Sequence, residues 1–207
     1  MDSVSKRVTA IYNDCRARRG ESDGAADIAA KDVAVLIRER LKVSFPDTKF
    51  SVRSDYNSVN VYWTDGPAQL LVERVTSAYK FGGFDGMIDL AYSGKNWLLP
   101  DGRMLDAACE GTEDSRGSVP SFATDCPEPG AILVKYGPKY VFAQREETPG
   151  FLLGLVRAAA VYYGFEFDAN KPLWDQVNPQ TGDYITTHAR RLESDIAREQ
   201  VEIGGAA

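Results

Sequence analysis

Two short runs near the first quarter of the chain alternate strictly between apolar and polar residues. Phe50 and Val52 alternate with Ser51 and Arg53, and Val59, Val61 and Trp63 alternate with Asn60, Tyr62 and Thr64. A period of two is the mark of strands with one face buried and one open, and it predicts a pair of them here. Asp65-Gly66-Pro67 follows as a turn, with a side-chain oxygen able to cap free helix N–H groups and a proline whose missing N–H costs nothing in a first helical turn. A helix to about Lys80 is predicted. Upstream, Val4, Val8, Ile11, Tyr12 and Cys15 recur at helical spacing up to about Arg18, residues 20 to 24 break the pattern, and a second helix runs from about Asp27 to Val43 until Pro46.

Beyond the third helical run, Asp85, Met87 and Asp89 alternate with Ile88 and Leu90 as a third strand. Residues 93 to 130 are rich in Gly, Pro, Ser and acids without sustained periodicity. They read as a long excursion with one helical turn near Leu105 to Cys109. Ala131 to Tyr136 and Tyr140 to Arg145 flank Gly137-Pro138-Lys139 as a hairpin, and Thr148-Pro149 opens a helix through Tyr163 that is apolar almost all round and should be buried. Phe165 to Phe167 reads as a short strand, and Tyr184 to about Val201 as a final helix with Ile185, Leu192 and Ile196 on its inner face. The fold class is α+β: a small mixed or antiparallel sheet with packed helices, a helical N-terminal extension and a C-terminal helix. Four segments result: 1–26, 27–92, 93–130 and 131–207, the last packed on the same body.

The motifs FPDTKFSVRS, VNVYWTDGP and FDGMIDL, with the preceding helix that ends IRERLKVS, resemble the large polyvalent protein-associated domain families, most closely the twenty-ninth of that series. The resemblance covers about residues 27 to 92. Domains of this type occur in proteins of phages, plasmids and conjugative elements, often fused to enzymes or anti-restriction modules. The resemblance therefore implies a mobile-element accessory protein and carries over no catalytic residue.

Composition bounds the rest. The chain has 207 residues, 43% of them hydrophobic, enough for a core of its own. The start has an early acid and no apolar stretch, and the longest apolar run, Phe151 to Tyr163, is interrupted by Arg157 and too short to span a bilayer, so a cytoplasmic protein is expected. Cys15, Cys109 and Cys126 form no zinc-type pairs and no even framework, so free thiols are expected. The net charge is -6, and most of the excess lies between Asp101 and Glu128, where seven acids face two arginines. Such a run can mimic a nucleic-acid backbone or dock on a basic partner, although a solvated loop is the commoner meaning.

The chemistry that can be excluded is broad. No phosphate-binding GxxxxGK[ST], no G-x-S-x-G and no C-x-x-C occurs, and Gly82 to Gly86 follows a helix rather than the strand a dinucleotide fingerprint needs. The single histidine, His188, reads as a partly exposed helical residue beside Arg190 and Arg191. Arg53, Tyr62, Asp85 and Asp89 form the best polar constellation, placed by alternation on one open sheet face. They read as a recognition surface, or as a carboxylate pair for a hard cation, against the plain alternative of a turn at Asp85-Gly86 and an Asp89–Arg53 pair that fixes the sheet. Asp65 is mainly a helix cap.

The expected function is therefore binding without catalysis, with no cofactor and no metal, through Arg53, Tyr62, Asp85 and Asp89 and through Glu110, Glu113 and Asp114 of the acidic run. The partner is a host or element-encoded protein complex, and the sharpest version is counter-defence against a restriction or CRISPR complex. The basic N-terminal helix lacks interleaved aromatics, which leaves direct nucleic-acid binding less favoured. Two alternatives stand beside this reading: a metal-dependent enzyme or accessory acting on nucleic acid through Asp85 and Asp89, and a conjugation or assembly module that self-associates.

Overall fold

The computed structural model describes residues 5–19, 24–85, 89–107 and 128–204. The architecture is α+β, and the chain forms two compact units, one of Met1–Tyr62 and Glu73–Gln144, the other of Trp63–Val72 and Arg145–Ala207.

The first unit begins with α1 (Lys6–Ala17), whose first turn is capped by the Ser5 hydroxyl accepting from Arg7 N–H. Val8, Tyr12 and Cys15 are its buried face, and the Tyr12 hydroxyl donates to the Gly130 carbonyl at 2.5 Å. β1 (Ala26–Asp27) and α2 (Ala30–Ser44) follow. Asp27 thus ends a strand and does not open the helix. Asp27 pairs in parallel with Lys135: Ile28 N–H donates to Lys135 O, and the Arg18 guanidinium donates to Asp27 O. α2 buries Val33, Ala34, Leu36, Ile37 and Leu41, a stripe at three-four spacing.

β2 (Ser51–Ser54) and β3 (Ser58–Thr64) pair antiparallel as their alternation predicts, with Ser51 opposite Tyr62 and Arg53 opposite Asn60. Val52, Val59, Val61 and Trp63 are buried on one side, while Phe50 is half-buried with its ring against Phe45. α2 packs on β2, and the Arg38 guanidinium donates to the Val52 carbonyl. α3 (Gln69–Ser77) begins after Pro67, with Leu71 N–H donating to Ala68 O.

The remaining strands differ from expectation in three places. β4 (Gly82–Asp85) and β5 (Leu90–Ser93) form an antiparallel pair with Asp85 opposite Leu90, so the two ends of the segment read as one strand belong to two. Asp89 sits at φ 53, a left-handed backbone that no strand residue adopts and that Asp tolerates better than most. Met87 and Ile88 lie outside the described residues.

β6 (Lys95–Leu98) and β7 (Met104–Asp106) occupy the start of the stretch read as an excursion, and Leu105 is in β7 rather than in a helical turn. Asn96, Trp97 and Leu98 are all buried, so β6 has no exposed face and shows no alternation. Asn96 fits because its side-chain amide donates to the carbonyls of Ala78 (2.7 Å) and Lys80 (3.2 Å), just beyond α3.

β8 (Ile132–Lys135) and β9 (Tyr140–Glu146) are not a hairpin, because they belong to different sheets. Tyr136 stands at φ 61, and a Cβ on Gly137 would lie 2.4 Å from the Phe81 ring. The chain can make this sharp exit only with glycine at 137. One sheet is mixed and four-stranded, in the order β1-β8-β6-β7, and another is three-stranded, in the order β2-β3-β9.

The second unit contains α4 (Pro149–Tyr163), a 3-10 turn at Leu173–Asp175 and α5 (Ile185–Gly204). Thr148 caps α4 by accepting from Phe151 N–H, and Gly164 ends it in the left-handed conformation. Asp65 does not cap α3. At φ 57 it accepts from both the backbone N–H (2.8 Å) and the hydroxyl (2.9 Å) of Thr148, which fixes the start of α4.

The core of this unit is Val156, Ala159, Phe165, Ile185, Ala189 and Leu192. α4 is buried on one side only, since Val161 is 87% exposed and Tyr162 71%. Phe165 enters the core directly after Gly164 and forms no strand. On α5, Ile185 and Leu192 face inward, whereas Ile196 is half-exposed and Ala197 takes the inner place. No helix among the described residues is long and apolar enough to cross a membrane.

Candidate functional site

Alternation in β2 and β3 buries the valines and turns Ser51, Arg53, Asn60 and Tyr62 to the other face. β9 extends that face. Its first hydrogen bond runs from Tyr140 N–H to Asn57 O at 3.3 Å, and just past its last residues Asp65 N–H donates to Glu146 O at 2.8 Å. Both bonds advance in the same direction along the two strands, so β9 is parallel to β3. Ser58 then stands beside Tyr140, Asn60 beside Phe142 and Tyr62 beside Gln144.

Arg53, Asn60 and Phe142 therefore form one row across the three strands, and Ser51, Tyr62 and Gln144 the next. Neighbouring strands lie about 4.8 Å apart, so each row presents its groups to a single partner surface. Tyr140 and Phe142 are 47% and 46% exposed, and their rings stack at 5.9 Å with 12° between planes. Tyr56, in the β2–β3 turn, is exposed as well.

Of the residues expected to share this face, Arg53 and Tyr62 are brought together. Asp85 and Asp89 are not, because β4 and β5 form their own two-stranded sheet. The backbone of Asp85 ends β4, while its side chain lies outside what the structure describes; Asp89 is exposed in the turn. Glu110, Glu113 and Asp114, like Cys109 and Cys126, lie outside the described residues. Tyr140 and Phe142 escaped the sequence reading although their strand alternates. Their signal was the i, i+2 aromatic pair in a segment whose alternate residues, Val141 and Ala143, are the less exposed ones.

The face offers a guanidinium, amides, tyrosine hydroxyls and stacked rings, which suits recognition. It holds no nucleophile beside a base. No group of three or more His, Cys, Asp or Glu able to hold a metal ion occurs among the described residues.

The second unit holds the closest approach to a catalytic pair and a dense ion network. His188 is 3% exposed, which corrects the expectation of a partly exposed histidine. Its Nε2 meets the Thr181 hydroxyl at 3.0 Å and the Asn178 amide at 3.4 Å, between the rings of Tyr163 and Phe165. Its Nδ1 is buried without a partner. A base needs a group that orients its far nitrogen and a path for substrate, and this imidazole has neither. It packs the core.

Arg145, Glu147, Arg190 and Glu193 line a cleft of about 510 Å³ with Gln69 and Leu152. Arg145 donates to both oxygens of Glu193 at 2.6 Å and to Glu147 at 2.7 Å, while Arg190 forks onto Glu147. Burial and the Arg145 charge draw the Arg190 guanidinium below its ordinary value, with Glu193 acting in the opposite sense. Each cation has its own carboxylate, so the cluster is compensated and holds the unit together.

Comparison with curated proteins and with solved structures returns no match. The family model described as large polyvalent protein associated domain 29 matches residues 28–148. That span covers more than half the chain and reaches from α2 through β9, so all three strands of the open face lie within it. The match extends well past the 27 to 92 segment whose motifs suggested it. The chain thus belongs to the large polyvalent protein associated domain 29 family and is a mobile-element-associated protein.

Proposed function

We propose that the chain is a non-enzymatic, protein-binding component of a phage, plasmid or other mobile element, and that Arg53, Asn60, Tyr62, Tyr140 and Phe142 are its contact surface. The observation that carries this reading is the open face of the β2-β3-β9 sheet. Exposed stacked aromatics beside a guanidinium and amides are the residue types that supply binding energy at protein interfaces. The acidic run with Glu110, Glu113 and Asp114 gives a second contact that steers a basic partner. In its sharpest form the partner is a host defence complex, restriction or CRISPR, whose action the chain blocks.

The test is affinity capture from host lysate with mass-spectrometric identification, comparing the wild-type chain with Arg53→Glu and Tyr62→Ala. A single host or element protein retained by the wild type and lost in both variants, with their circular dichroism unchanged, is the expected result. Capture that is indifferent to both substitutions overturns the assignment of the face. A divalent-cation-dependent nuclease activity abolished by Asp85→Asn and Asp89→Asn overturns the non-enzymatic reading.

A further inference from the structure

Among the described residues β9 has a strand neighbour on one side only. In its parallel ladder with β3, Tyr140, Phe142 and Gln144 direct both backbone groups toward β3, so Val141, Ala143 and Arg145 direct theirs away. The seven-residue strand has no proline, no bulge and no lysine within it, three of the devices by which edge strands avoid pairing, and its charged residues, Arg145 and Glu146, stand together at one end. Another extended backbone can pair with such a row of donors and acceptors along its whole length.

We infer that β9 pairs with β9 of a second copy of the chain, antiparallel and centred on Ala143, to make one continuous six-stranded sheet. This goes beyond the binding role proposed above and does not depend on it. The register follows from hydrogen bonding and charge. Only residues whose backbone groups point outward can exchange bonds, which restricts the centre to a few positions. Centring on Ala143 exchanges bonds between Ala143 and its counterpart and between Val141 and Arg145 of the other copy. It sets no two like charges opposite one another across the pair.

Centring on Phe142 sets Lys139 against Arg145, a like-charge pair that disfavours pairing. Centring on Gln144 sets Phe142 against the Glu146 carboxylate. In the Ala143 register the two Phe142 side chains are instead diagonal neighbours, within reach of one another across the two-fold axis. The Tyr140–Phe142 stack of each copy then continues into the other, and the open face runs across both copies.

Sedimentation equilibrium of the full chain tests this. The wild type should show a reversible monomer–dimer equilibrium built on the 22.8 kDa chain. Ala143→Pro deletes the central outward N–H and leaves the β3 ladder intact, as proline on an edge strand can. Phe142→Lys places two ammonium groups side by side at the axis. Each should weaken association by about tenfold or more, with thermal unfolding near that of the wild type. If Ala143→Pro fails to fold, Phe142→Lys decides. A wild-type chain that stays monomeric at all concentrations, or a dimer that survives both substitutions, overturns the inference.

Discussion

Replacing Arg145 by methionine should be among the most damaging single changes in the second unit, even though its side chain lies off the proposed contact surface. Its side chain is 5% exposed and its partners Glu147 and Glu193 are 11% and 16% exposed, so all three charges have left most of their water behind. Removing the guanidinium takes away both 2.6 Å bonds to Glu193 and the bond to the Pro67 carbonyl at 3.2 Å. Glu147 keeps Arg190, so the loss concentrates on Glu193, left as a buried carboxylate without a cation. Breaking a buried pair from one side costs about 3 to 5 kcal/mol. An exposed pair such as Arg18–Asp14, with side chains 36% and 63% exposed, contributes only about 0 to 1 kcal/mol.

Deleting both charges should cost far less than deleting one. Arg145→Met with Glu193→Met removes the desolvation penalty along with the attraction and fills the space, which should return stability to within about 1 kcal/mol of the wild type. Urea unfolding followed by circular dichroism gives all four corners of the double-mutant cycle. Strong coupling between the two substitutions is the expected result. An Arg145→Met variant as stable as the wild type, or two effects that simply add, would refute the view that this pair is buried and mutually dependent.

Trp63→Ala should destabilise by about 3 to 5 kcal/mol in the same assay, because the ring is buried and its Nε1–H donates to the Pro67 carbonyl; an unchanged midpoint would show that the ring is not in the core. Asp65→Ala should cost about 1 to 2 kcal/mol, since it removes both bonds to Thr148 and puts alanine at positive φ, while Asp65→Asn should cost less. The Cys15 thiol is pushed up to about 11 by burial, with the Arg18 charge pulling the other way. Its folded value lies above its unfolded value near 9.0, so its contribution to stability is intact below pH 9.0 and is lost as pH rises toward about 11. Alkylation at pH 8 should therefore leave Cys15 unmodified until denaturant is added, as mass spectrometry of digested protein would show.

The sequence pattern was most legible where one face of an element is buried and the other is wet. β2 and β3 alternate cleanly because Val52, Val59 and Val61 are buried while Arg53, Asn60 and Tyr62 stay outside. α4 announced itself through Thr148 and Pro149 at its start. β6 was hidden because Asn96, Trp97 and Leu98 are all buried, the polar one by virtue of bonds to carbonyls that local pattern cannot foresee. β8 and β9 looked like a hairpin because only tertiary structure separates them: Gly137 against Phe81 sends each strand to its own sheet.

The candidate site followed the same logic. Arg53 and Tyr62 came from alternation within a local pair, whereas Tyr140 and Phe142 joined them through a parallel pairing between strands far apart in the chain. Asp85 and Asp89 were assigned to that face on the assumption of one strand. The positive φ at Asp89 is what removes it.

The most direct test of the account is site-specific photo-crosslinking from Asn60, the middle of the Arg53–Asn60–Phe142 row, in cells that carry the mobile element. A photoreactive phenylalanine analogue there should yield one discrete protein adduct, absent when Arg53→Glu is combined with it and absent when the probe sits at exposed Glu199 of α5. Adducts to nucleic acid, or a protein adduct from Glu199 with none from Asn60, would contradict the claim that this chain works by binding a protein through its open sheet face.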